Sequence, residues 1–79
     1  MVEVKLRLAR SLRALRAQRG LSQAAVAKLV RSSQSRVAKM EIADRSVSTD
    51  LLLRSLFQLG ANRRDVARLL SDTRRTRAA

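Results

Sequence analysis

No cysteine, histidine, proline, tryptophan or tyrosine occurs among the 79 residues, and there are only one phenylalanine and two glycines. Without Cys or His the chain cannot build a zinc finger, an iron–sulfur site or a redox pair. The usual general base and the thiol nucleophile go with them, so we expect no enzyme, no metal and no cofactor. Without proline, little interrupts a helix except Gly20 and Gly60. No apolar run approaches the roughly 20 residues that a membrane span needs, and no membrane partner is expected. Acids are scarce as well: six Asp and Glu stand against 18 Lys and Arg, a formal net charge of +12.

What remains is hydrophobic and basic. A 46% hydrophobic fraction is too high for a disordered basic tail, so the chain should fold. Its length suits one domain, with a core small enough for a partner subunit to matter. The charge points to a polyanion, with nucleic acid ahead of an anionic membrane surface. Residues 1–40 carry ten basic residues and one acid, a net of +9, whereas residues 41–79 carry eight and five, a net of +3. The partner should therefore meet mainly the first half. With Lys only at 5, 28 and 39, the other fifteen cations are Arg, whose planar fork suits phosphate and guanine. The Arg-rich start also has the look of a transit peptide. It runs in register into a helix, however, with no cleavage-like boundary.

Apolar spacing gives helices throughout. Val4, Leu8, Leu12 and Leu15 form one stripe, predicting a helix over about 3–19 that Gly20 stops. Arg7, Arg10, Arg13, Arg16 and Arg19 recur every three residues, so the row winds around that helix as a largely solvated flank. Ser22 caps a helix over 23–30 with Val26, Ala27 and Val30 inward, and Ser33 caps another over 34–41 with Val37 and Met40 inward. A polar loop over 42–48 follows, then a helix over 50–59 capped by Ser48 or Thr49. Gly60 ends it, and Asn62 caps a fifth helix over 63–71. The expected organisation is one domain over 1–72 and a basic, frayed tail over 73–79.

Two short helices joined by a tight turn make a helix-turn-helix, a pattern that any small bundle can contain. The stretch Gly20–Glu41, GLSQAAVAKLVRSSQSRVAKME, is more specific. With its Gly-Leu-Ser-Gln opening, Ser-Gln-Ser-x-Val at the start of the third helix and closing Met-Glu, it resembles the lambda-type repressor and Cro family, the XRE-like helix-turn-helix proteins. The resemblance covers about residues 8–62, with a helix-turn-helix core at 22–41. It implies an all-α, compact five-helix lambda-repressor-like DNA-binding domain. It further implies that the third helix lies in the major groove with its first turn toward the base edges.

On that helix Gln34, Ser35, Arg36 and Lys39 become the base-contacting candidates. Gln34 suits an adenine edge, Arg36 a guanine or the backbone, and Lys39 a guanine edge or a phosphate. Ser22, Gln23, Arg31, Ser33 and Arg45 are the backbone candidates, although Ser22 and Ser33 serve as caps first. Arg16 and Glu41 match a structural ion pair of the family. Arg31 stands where the family usually has a turn glycine and Ser32 where it has an apolar plug, which leaves the turn open to a different backbone.

Leu51, Leu52, Leu53, Leu56, Phe57 and Leu59 spread over roughly 240° of the fourth helix, more than one small core can cover. Either the fifth helix wraps the excess through Val66, Leu69 and Leu70, or a second subunit does. Leu52, Leu53, Leu56, Phe57 and Leu69 are therefore the candidates for a homodimer interface. The expected function is a cytoplasmic, sequence-specific regulator of transcription. It would bind double-stranded DNA as a dimer on an inverted repeat, most simply as a repressor, and would associate with the nucleoid when bound. The alternative is an antitoxin resembling the HigA-like branch, which binds DNA and a toxin protein. RNA binding ranks lower, because RNA readers usually stack bases on aromatics and Phe57 is the only one here.

Overall fold

Three serines and an asparagine set where the helices begin. Ser22 Oγ accepts from the Ala25 amide at 3.0 Å, Ser33 Oγ from Arg36 at 3.1 Å and Ser48 Oγ from Leu51 at 3.1 Å. Asn62 Oδ1 accepts from Asp65 at 2.8 Å. Each satisfies an amide that a helix start leaves without an internal partner. The computed structural model describes residues 2–68 and gives α1 (Val2–Gln18), α2 (Gln23–Leu29), α3 (Gln34–Glu41), α4 (Thr49–Gln58) and a fifth helix, α5, over 63–68. The all-α, five-helix expectation holds, and no strand occurs among the described residues. Nor is any helix among them long and apolar enough to cross a membrane. The expected roles of Leu69 and Leu70, the end of helix five at 71 and the tail 73–79 lie outside the described residues.

The helix ends share one solution. After α1, the Gly20 amide bonds to Ala17 O and the Leu21 amide to Arg16 O; after α4, Gly60 bonds to Phe57 O and Ala61 to Leu56 O. This paired pattern needs a left-handed residue, and Gly20 (φ +66°) and Gly60 (φ +100°) supply it. The same bonds close α2, from Arg31 to Lys28 O and from Ser32 to Ala27 O, and α3, from Ala43 to Met40 O and from Asp44 to Lys39 O. Arg31 and Ala43 therefore take φ +56° and +55° without being glycine. This corrects the expectation of a different turn backbone. The 2.8 Å bond from Ser32 to Ala27 O and the cap at Ser33 hold the turn in place despite the cost of a Cβ in that region.

The helices close around one core, with α1 lying against α3 and α4, and α2 against α3. Leu8, Ala9 and Leu12 of α1, Val26 and Ala27 of α2, Val37 and Met40 of α3 and Leu52, Leu56 and Leu59 of α4 are all buried. Val47, in the loop expected to be polar, joins them. Ser55 brings α4 close to α3, and its buried hydroxyl donates to Met40 Sδ at 3.4 Å. Leu52 and Leu56 must therefore be withdrawn as dimer candidates: they are 0% and 1% exposed, filled against this chain's own core. Val66 of α5 is buried too, and it lines a groove together with Leu15 of α1 and Leu56 of α4. Leu53, half-buried, and Phe57, 43% exposed, are the described dimer candidates that still reach solvent.

Candidate nucleic-acid interface

Helix α3 has two unlike faces because its apolar residues sit three apart. Val37 and Met40 are fully buried, whereas Gln34, Ser35, Arg36 and Lys39 are all exposed. Eight residues give a rod about 12 Å long. Ser33 caps its start, and the left-handed turn at Ala43 closes its end. The polar face is thus presented on a helix that packing and both termini hold still.

A network at its last turn ties three helices together. The Arg16 guanidinium donates through Nε to Glu41 Oε2 at 2.5 Å and through Nη2 to Oε1 at 3.2 Å. Its Nη1 donates to Leu21 O at 3.0 Å, and Gln23 Nε2 donates to Glu41 Oε1 at 3.1 Å. The Glu41 side chain is only 5% exposed and Arg16 20%, so the carboxylate is the more desolvated partner. Its hydrogen bond holds the Arg16 guanidinium pKa above the ordinary value, outweighing the opposite effect of burial. The arrangement is two-pronged, the geometry in which a guanidinium binds a carboxylate most firmly. No buried polar side-chain atom among the described residues lacks a partner.

The remaining candidates divide by position. Arg31 and Ser33 are exposed on the α2–α3 turn, next in the chain to Gln34. Ser22 is exposed at the start of α2, and its oxygen is occupied as a cap. Gln23 is half-buried, with its amide committed to Glu41. Arg45 lies beyond the far end of α3, in the loop that leads to α4. In that loop the Asp44 carboxylate accepts from the Ser46 hydroxyl at 2.6 Å and the Ser46 amide at 2.9 Å. Those two bonds, with Lys39 and Lys5 nearby, hold the Asp44 carboxyl below the usual carboxylate range. Lys5 Nζ also donates to Asp44 O at 2.7 Å, fastening the loop to the start of α1.

The sequence reads Arg13 as solvated surface, and it is exposed. It lines a groove of about 370 Å³ together with Arg16, Gln23, Lys39, Glu41 and Ile42. The signal was present in the spacing. Arg13 stands one turn before Arg16, so whatever anchors Arg16 to the end of α3 also brings Arg13 near it.

The geometry is that of two short helices crossing at a tight turn, the second with an exposed polar face. A family model described as a helix-turn-helix domain matches residues 7–71, a span that runs from α1 through the described part of α5. Comparison with curated proteins and with solved structures gives no match.

Proposed function

The chain belongs to the helix-turn-helix domain family, and from that premise we propose that it is a sequence-specific regulator of transcription that binds double-stranded DNA as a homodimer and acts as a repressor. The observation that carries this reading is the polar face of α3, where four exposed side chains capable of hydrogen bonding stand on a helix fixed by its core face and both ends. Gln34, Ser35 and Arg36 occupy the first turn, the part that reaches base edges when such a helix enters the major groove. Lys39 follows toward a guanine edge or a phosphate. Arg31 and the hydroxyl protons of Ser22 and Ser33 are free to meet the backbone, and the +9 charge of residues 1–40 draws the duplex to this side. Arg45 serves the backbone beyond the far end of α3.

The second copy is assigned to α4. Leu53 and Phe57 form a stripe flanked by Asp50 and Arg54, which face each other at 3.8 Å within the helix. A stripe with one acid and one base is self-complementary about a two-fold axis, as a symmetric interface requires. A homodimer sets two reading helices about one DNA turn apart, so the operator should be an inverted repeat. An antitoxin would use the same stripe for its toxin, and its partner would co-purify as a stoichiometric complex.

Selection of bound fragments from a random duplex pool tests the reading. A palindromic preferred motif supports it, whereas recovery of no preferred sequence refutes it. Gln34→Ala should then weaken the selected site by about 1–3 kcal/mol and relax preference at one base pair. Equal weakening on selected and random duplexes would remove Gln34 from base reading.

A further inference from the structure

The groove between α1 and the C-terminal half of α3 carries positive charge that its own residues do not neutralise. At its floor both Glu41 oxygens are occupied, by Arg16 and by Gln23. Arg16 and Glu41 cancel as an ion pair. Arg13 and Lys39 remain at the rim, both exposed, and neither forms an ion pair among the described residues. Asp44, whose charge reaches Lys39, already has its Oδ2 bonded twice by Ser46. Ile42 forms the wall beside them and is 69% exposed, the highest value among the large apolar residues described.

We propose that this groove seats one backbone phosphate of the duplex, with Arg13 and Lys39 as its two ligands. The proposal rests on the duplex-binding function above, and it moves Lys39 from base reading to backbone binding. Lys39 lies five residues past Gln34, about 7.5 Å along the helix axis. With the first turn of α3 in the major groove, Lys39 is level with the rim, where the phosphates run. A guanidinium fork from one side and an ammonium point charge from the other suit a phosphate. An isoleucine left open on a cationic face suits a backbone whose phosphates alternate with apolar deoxyribose edges.

The test compares the full chain with Arg13→Ala, Lys39→Ala and Arg10→Ala, the last an equal charge loss on α1 at an exposed residue outside the groove lining. Affinity is measured for the selected duplex and a random duplex across a salt series. Arg13→Ala and Lys39→Ala should each lower the slope of log K against log salt by about two in the dimer, one for each half-site, and weaken both duplexes by the same factor. Arg10→Ala should leave the slope near that of the unaltered chain. Ethylation of one phosphate per half-site should block the unaltered chain and cost Arg13→Ala nothing further. Thermal unfolding confirms that the variants remain folded. The groove assignment is overturned if Arg13→Ala matches Arg10→Ala in slope and ethylation pattern, or if Lys39→Ala shifts the preferred sequence. Failure of the unaltered chain to bind duplex overturns the function itself, before any variant is compared.

Discussion

Arg16 and Glu41 are unequal partners, and the inequality decides which substitution does more damage. Removing Arg16 leaves a carboxylate, 5% exposed, with only the Gln23 amide as a side-chain donor, whereas removing Glu41 leaves a guanidinium that water can already reach. Arg16→Met should therefore cost about 3 kcal/mol, the range for stranding one buried charge. Glu41→Gln should cost clearly less, because its amide oxygen can still accept from Arg16. Urea unfolding of both variants checks the order, and equal losses would place the pair nearer the surface than the structure does. Arg31 offers a gain. A non-glycine residue in the left-handed region costs about 1–2 kcal/mol, of which glycine returns part through the entropy of the unfolded chain. Arg31→Gly, at φ +56°, should raise stability by about 0.5–1 kcal/mol and at the same time weaken binding to every duplex sequence. Higher stability with unchanged DNA affinity would remove Arg31 from the backbone set.

Helix boundaries were the most legible feature of the sequence, because a side-chain oxygen three residues before an orphan amide is a local device. Ser22, Ser33 and Asn62 act where the sequence pattern placed them, and of Ser48 and Thr49 it is Ser48 that caps α4. Replacing Ser33 with Ala should cost about 1 kcal/mol and speed hydrogen exchange at the Arg36 amide, the group it caps. What the sequence hid is tertiary. Arg31 is marked as left-handed only by standing at the family's turn-glycine position and Ala43 by nothing, since the bonds that end α2 and α3 impose the conformation of both. The burial of Val47 inside a polar stretch, and of Leu52 and Leu56 beneath neighbouring helices, likewise depends on how the helices cross. The loop over 42–48 has a pH dependence of its own. Asp44 titrates below its ordinary value, so its contribution is full above the unfolded carboxyl pKa, near 4, and is lost as pH falls through the lower folded value. Protection of the Ser46 amide, whose N–H bonds to that carboxylate, should fall as pH drops through that lower folded value while protection in α1 does not.

At the scale of the molecule, the net positive charge is concentrated in the first half of the sequence and the dimer candidates in the second. Cations crowd residues 1–40, while the stripe at Leu53 and Phe57 lies on α4, a helix that contributes no base-facing candidate. In the proposed arrangement one surface serves the duplex and another the second copy, so a substitution should remove one without the other. Phe57 is 43% exposed, so Phe57→Gln should leave the fold intact and yield a monomer in sedimentation. The salt dependence supplies an independent reading. Each neutralised phosphate contributes about −0.9 to the slope of log K against log salt. A dimer bound across two half-sites neutralises twice the phosphates of one subunit. The Phe57→Gln slope should thus fall to about half that of the unaltered chain, with affinity for an isolated half-site unchanged. If the unaltered chain already sediments as a monomer at micromolar concentration and binds without cooperativity, α4 is not a dimer surface. The inverted-repeat operator would then give way to a single asymmetric site.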